Sequence, residues 1–127
     1  MNRRGWTFIA LVAGIPLTGA VASAQDAAAV AAGKSVFQIR CAPCHGADRG
    51  GDPGHRMLPG TDALRIKYQG KLPALLEQRT DLTAPVLKLF VRHGSWSMPP
   101  LRPTELSDAD IDAIAAYLAF ASRSAGR

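Results

Sequence analysis

Cys41-Ala42-Pro43-Cys44-His45 is the stretch on which the rest of the chain depends. It reads C-x-x-C-H, the spacing at which a c-type haem is attached. Each thiol can add across one vinyl group of a porphyrin, giving two thioether bonds. Cysteines three residues apart share a helical turn, so both reach the edge of one ring. His45 is then carried beneath the iron, where a neutral imidazole nitrogen is a good fifth ligand. The chain has only two cysteines, so the motif uses the whole supply.

Three other readings of these residues are weaker. A thioredoxin-like C-x-x-C needs a βαβ pattern around it, and no convincing strand flanks this one. A tetrahedral zinc site needs further Cys or His ligands. Besides His45, only His55 and His93 remain, at no familiar spacing. A disulfide across so small a loop would close little chain and stabilise little.

The N-terminus reads as a secretory signal peptide over residues 1–24. Arg3 and Arg4 form a charged start, Trp6 to Val21 an apolar stretch, and Ala22-Ser23-Ala24 an A-x-A cleavage site. The apolar run falls short of the roughly 20 residues a bilayer span requires, so no stable membrane span is expected after cleavage. Residues 25–127 would form one domain, exported to the periplasm and so outside the reducing cytosol. The net charge is +5, of which Arg3 and Arg4 supply two. With no dense Lys/Arg block and no interleaved aromatic platform, nucleic acid is not an expected partner. The short chain is poor in large aromatics, and a bound porphyrin would supply much of its interior.

Helical patterns fill most of the rest. Asp26 to Arg40 reads as a helix with Asp26 as its cap and Val30, Gly33 and Phe37 on one face. Gly33 inside a helix costs about 1 kcal/mol against alanine, which points to another backbone passing close by. His45 to Gly60 reads as a loop. The second nitrogen of His45 needs an acceptor, sought among the carbonyls near Leu58-Pro59-Gly60, unless that stretch is only a turn. Short helices are expected over Thr61 to Tyr68, with Thr61 as cap, and over Leu72 to Glu77. Arg65, Lys67, Lys71 and Arg79 make this region basic, more as a solvated face than as a docking patch. A helix over Val86 to His93 opens at Thr83-Ala84-Pro85 and stops at Gly94, with His93 near its C-terminus.

Met98, in Ser95-Trp96-Ser97-Met98-Pro99-Pro100, is the candidate sixth ligand: a thioether stabilises Fe(II) and raises the potential. The prolines stiffen its loop. It is preferred to Met57, read as a gap filler on the histidine side, and to His55 and His93. Ser107-Asp108-Ala109-Asp110 resembles a capping box. It opens a last helix with Ile111, Ile114, Leu118 and Ala121 at helical spacing and Tyr117 and Phe120 as bulk. That helix should cross the first at Gly33 and Phe37, and Arg123 to Arg127 should fray.

Together, Gly33-x-x-x-Phe37, Cys41-x-x-Cys44-His45, Met98-Pro99 and Ile114-Ala115-Ala116-Tyr117-Leu118 resemble the class I cytochromes c. The stretches Leu58 to Leu64, Met98 to Arg102 and Thr104 to Asp108 resemble a bacterial subgroup found with periplasmic dehydrogenases. The resemblance implies a small all-α fold, its N- and C-terminal helices crossing over one haem c bound covalently through Cys41 and Cys44. It implies iron held by His45 and Met98, with the Pro59 carbonyl accepting from His45, although the usual Gly-Pro-x-Leu-x-Gly wording is absent. The expected activity is single-electron transfer with redox partner proteins: a periplasmic dehydrogenase, a terminal oxidase or another cytochrome. Two rival expectations are a cytochrome subunit bound tightly to a flavin- or quinone-dependent dehydrogenase, and a haem protein with an open sixth site for catalysis or sensing.

Overall fold

Alanine-rich sequence makes the first helix, and a glycine lets the last one cross it. In the computed structural model, which describes residues 18–47 and 57–126, helix α1 runs Thr18–Arg40 and the final helix, α5, runs Asp108–Ala125. A Cβ at Gly33 would lie 1.9 Å from the Ala113 carbonyl oxygen and 2.9 Å from the Ile114 nitrogen. One turn on, the Phe37 and Tyr117 rings pack with centroids 5.5 Å apart, tilted by 52°. The crossing expected at Gly33 and Phe37 is therefore present, and its cause is the missing side chain.

Between these helices the chain makes α2 (Ala42–His45), α3 (Pro59–Tyr68), a 3₁₀ turn (Leu76–Gln78) and α4 (Ala84–His93). The described residues form no strand, only an isolated bridge between Ser95 and Met98. The fold is small and all-α. Phe37, Leu82, Leu87, Val91, Leu106, Ile111, Ile114, Tyr117 and Leu118 form the buried core. Each large aliphatic side chain so buried contributes about 1.5–3 kcal/mol, and these nine draw on three helices and two connecting segments. No described helix is long and apolar enough to cross a membrane.

Caps and breakers set the ends of the elements. Ser107 caps α5: its hydroxyl accepts from the Asp110 amide at 3.1 Å, and the Asp110 carboxylate accepts from the Ser107 amide at 3.0 Å. This reciprocal pair satisfies two otherwise orphaned donors. α4 begins after Thr83 with Pro85 in its first turn and ends at Gly94, as the sequence suggests.

Four expectations need correction. α1 begins at Thr18, eight residues before Asp26, because alanines continue the helical run; Asp26 is exposed inside the helix and caps nothing. The expected helix over Leu72 to Glu77 contracts to the Leu76–Gln78 turn, with Leu75 in extended conformation at its N-cap. α3 starts at Pro59 rather than Thr61, with Leu58 at the N-cap and no side-chain cap. α5 continues past Arg123 to Ala125, where the Ser124 hydroxyl bonds back to the Phe120 carbonyl at 3.1 Å. The charged start and most of the apolar stretch of the expected signal peptide lie outside the described residues, as does His55.

Candidate functional site

The last carbonyls of α1 lead straight into the cysteine motif. The Cys41 amide donates to the Phe37 carbonyl at 2.9 Å, continuing the α1 ladder. The chain then closes a single further turn: His45 donates to the Cys41 carbonyl at 2.8 Å and Gly46 to that of Ala42 at 2.9 Å. Pro43 lies in the first turn of α2, where its missing N–H costs nothing. Cys41, Cys44 and His45 thus share one turn of helix, and both cysteines are free thiols. Burial, with the neighbouring Cys44 as a smaller cause, pushes the Cys41 thiol up to about 11, so it is protonated at neutral pH.

His45 is seated by α3. A Cβ on Gly60 would lie 2.6 Å from the ring carbon Cε1 and 2.8 Å from Nδ1, so only a glycine lets α3 pack against the imidazole. Burial lowers the His45 pKa, which favours the neutral ring that a metal requires. Among the described residues, Nδ1 is buried without a hydrogen-bond partner. The carbonyl sought near Leu58-Pro59-Gly60 is not bonded to it. Pro59 occupies the first turn of α3, where carbonyls point along the helix axis toward the amide four residues on.

Thr61 has a different task from the capping role its position suggested. It is 2% exposed, and its hydroxyl donates to the Gly46 carbonyl at 3.1 Å, with the Cys44 carbonyl a longer contact at 3.5 Å. It ties α3 to the backbone at the end of the motif. Sequence reasoning missed Gly60 and Thr61 as site residues. The available signal was a small residue and a hydroxyl directly after Pro59, within reach of the loop from His45.

Beside the motif runs a groove of about 530 Å³ lined by Phe37, Gln38, Ala42, Pro43, Gly46, Ala47, Leu58 and Glu77. A smaller one of about 230 Å³ shares Ala47 and Leu58 with it and adds Met57, Thr61, Ala74, Leu75 and Gln78. Glu77 accepts a hydrogen bond from the buried Tyr117 hydroxyl, which fixes the groove wall to α5.

Met98 stands on a separate device. Gly94 ends α4 with φ 71° and ψ −179°, a conformation open almost only to glycine. Ser95 and Met98 then pair through both backbone bonds, at 2.9 and 3.0 Å, with Trp96 at the tip at φ 56° and 98% exposed. Met98 is half-buried and packs, like Cys41 and Ala42, against the core cluster. Met57 is more exposed and lines the smaller groove on the histidine side. His93 is exposed, with Nδ1 2.9 Å from the Leu89 carbonyl of its own helix.

The basic region resolves into separate roles. Arg79 is buried, paired with the Asp81 carboxylate and stacked 4.7 Å from the Tyr68 ring centre. It is a structural arginine, not part of a solvated face. Arg65 pairs with Asp62 on the surface of α3.

Two free thiols and a half-buried imidazole on one turn, in a helical fold whose terminal helices cross, define a c-type cytochrome with a single haem motif. The family model described as cytochrome c oxidase, cbb3-type, subunit III matches residues 28–118, and the chain belongs to that family. It is a monohaem c-type cytochrome, an electron-transfer haem protein, and the family implies redox partners. No solved structure matches the chain. The residues fit haem c: the thiols are free, burial favours the neutral form of the glycine-packed imidazole, and a groove with Phe37, Pro43 and Leu58 in its lining, beside Gln38 and Glu77, lies alongside.

Proposed function

We propose that this chain is an exported, periplasmic electron carrier that binds one haem c through Cys41 and Cys44, with His45 and Met98 as axial ligands. The observation that carries this reading is the half-buried His45, its pKa lowered by burial and its ring packed on Gly60, on the same turn as both free thiols. Haem c, when bound, supplies a one-electron couple. The residues around it set how that couple behaves. Gly60 and Thr61 hold the imidazole and its turn, and burial keeps the ring neutral. The Met98 thioether favours the reduced iron. Two strong axial ligands leave no position for a substrate, so the chain passes electrons rather than transforming molecules.

Absorption spectra of the haem-loaded protein test the reading. Low-spin bands and the weak red charge-transfer band of ferric thioether ligation are expected, and Met98→Ala should remove that band. If the band survives Met98→Ala and disappears in Met57→Ala, Met57 is the ligand. A high-spin spectrum in the unmutated protein would indicate an open iron and support catalysis or sensing. N-terminal sequencing of exported protein should find a chain starting at Gln25, and a start at Met1 would make the leader a retained anchor.

The donor we propose is a periplasmic dehydrogenase. The description of the matching family, an oxidase subunit, favours a second reading, a cytochrome held within a larger redox complex. Purification under mild conditions separates the two: a free carrier elutes alone, and a subunit elutes with a large partner.

A further inference from the structure

Met98 lies on a short turn, yet the turn is anchored at both ends. Its entry is set by Gly94, where a Cβ would lie 2.6 Å from the Met98 carbonyl oxygen. Its exit is set by Arg92. The guanidinium donates to the Leu101 carbonyl at 2.9 Å and to the Leu106 carbonyl at 2.8 Å, and pairs with Asp108. The neighbouring Val91 carbonyl accepts from the Leu101 amide at 2.7 Å. Only Pro99 and Pro100 separate Met98 from this anchor, and prolines transmit position because their φ is fixed. The Arg92 side chain is 19% exposed, so its bonds form in a partly dry environment where charged donors count for more.

We propose that Arg92 is a positioning residue for Met98: it fixes the exit of the turn and so keeps the thioether in its place. This rests on the reading of Met98 as the sixth ligand. Without Arg92 the Leu101 and Leu106 carbonyls lose a shared charged donor, and the turn gains freedom that the iron–sulfur bond must then oppose. An external ligand competes more easily with a methionine held that way. A lysine keeps the charge but cannot fork between two carbonyls. Asp108 is the outermost partner, 65% exposed, so its loss leaves both carbonyl bonds intact.

The test is imidazole titration of the ferric, haem-loaded full chain, followed by loss of the red charge-transfer band. Arg92→Ala should bind imidazole about tenfold more tightly, which corresponds to ~1.4 kcal/mol. Arg92→Lys should fall between it and the parent, and Asp108→Asn should match the parent. Amide hydrogen exchange at Met98 and Leu101 reads the anchor directly and should quicken in Arg92→Ala, or in Arg92→Lys if the alanine variant does not fold. Unchanged affinity and unchanged exchange, in a parent that shows the band, would overturn the proposal. A parent without the band but with faster exchange in the variant would overturn the ligand reading and leave Arg92 as the anchor of the turn.

Discussion

Gly33 and Gly94 do different work in this molecule, and the difference separates its two halves. At Gly33 the backbone is ordinary helix; what matters is the absent Cβ, which lets α5 lie on α1. The contact is then secured by burial of Phe37, Ile114, Tyr117 and Leu118, which is non-directional and spread over many atoms. At Gly94 space is only part of the matter. The backbone there takes a conformation that other residues avoid, and the turn beyond it is held by hydrogen bonds as well as by the packing of Met98 and Leu101 against the core. The crossing relies on packing, and the turn bearing Met98 is braced as well as packed. A packed region fails as a whole when cut. A braced one can fail locally and leave the fold standing.

The largest effect should come from cutting the packed half. Phe37→Ala should destabilise the protein by about 3–5 kcal/mol, the range for truncating a buried aromatic. Gly33→Ala adds a methyl where the obstacle is backbone carbonyl, which no side-chain rotation relieves. It should cost about 1–3 kcal/mol, the usual cost of overpacking, despite alanine's better helix propensity. In both variants, denaturant unfolding followed by circular dichroism and by haem absorbance should show one shared midpoint, shifted down. Separate midpoints would mean that the crossing and the haem site unfold independently.

Gly94→Ala is the matching cut in the braced half. It should cost about 1–3 kcal/mol, the range for holding a residue in a sparsely populated backbone region. Here the loss should be local. The red charge-transfer band should weaken well below the unfolding midpoint while the helical signal is unchanged. A band that persists to the global midpoint would show that the turn tolerates the strain and that the distinction between the halves is too sharp.

A smaller effect is expected at the join between motif and α3. Thr61→Val keeps the shape and removes the donor to the Gly46 carbonyl, leaving a buried acceptor unpaired. The expected loss is about 1–2 kcal/mol, toward the lower part of the range for such groups. Thr61→Ser should recover most of it, since the hydroxyl is restored. If Thr61→Val is as stable as the parent while Thr61→Ser is weaker, the hydrogen bond contributes little and the volume of Thr61 is what matters.

Much of this division was legible in the sequence. The Gly33 and Phe37 crossing, the α4 stop at Gly94 and the Ser107 box all follow from local rules of spacing and capping, which a single sequence carries. The motif at Cys41, Cys44 and His45 is legible for the same reason, because its chemistry demands fixed spacing. What escaped depends on contacts between distant residues. Thr61 reaches Gly46, Arg92 reaches Leu101 and Leu106, and Arg79 is buried under Tyr68. A lone threonine or arginine carries no mark of its partner. The Pro59 expectation shows the same limit from the other side. The proline does lie beside the motif's helix, but helix α3 claims the carbonyl that a loop would have left free.

The smallest effect is confined to high pH, and it probes the tie between the packed core and the groove. Tyr117 donates its hydroxyl proton to Glu77, and its pKa is raised from about 10 to about 12, first by burial and then by that bond and the carboxylate charge. The folded state therefore holds the phenolic proton more tightly than the unfolded chain does. Its contribution to stability is fully present below about pH 10, the ordinary phenol value, and is lost as pH rises toward 12. Denaturant midpoints measured for the parent and for Tyr117→Phe should run parallel up to about pH 10. Above that the parent should fall more steeply, because only it has a phenol to ionise at this position. Glu77→Gln removes the charge but keeps an acceptor, so it should bring the onset of tyrosinate absorbance to lower pH while leaving burial in place. If the parent and Tyr117→Phe curves stay parallel throughout the alkaline range, the hydroxyl is free to reach water, and the core is less firmly joined to the groove wall than the Glu77 contact implies.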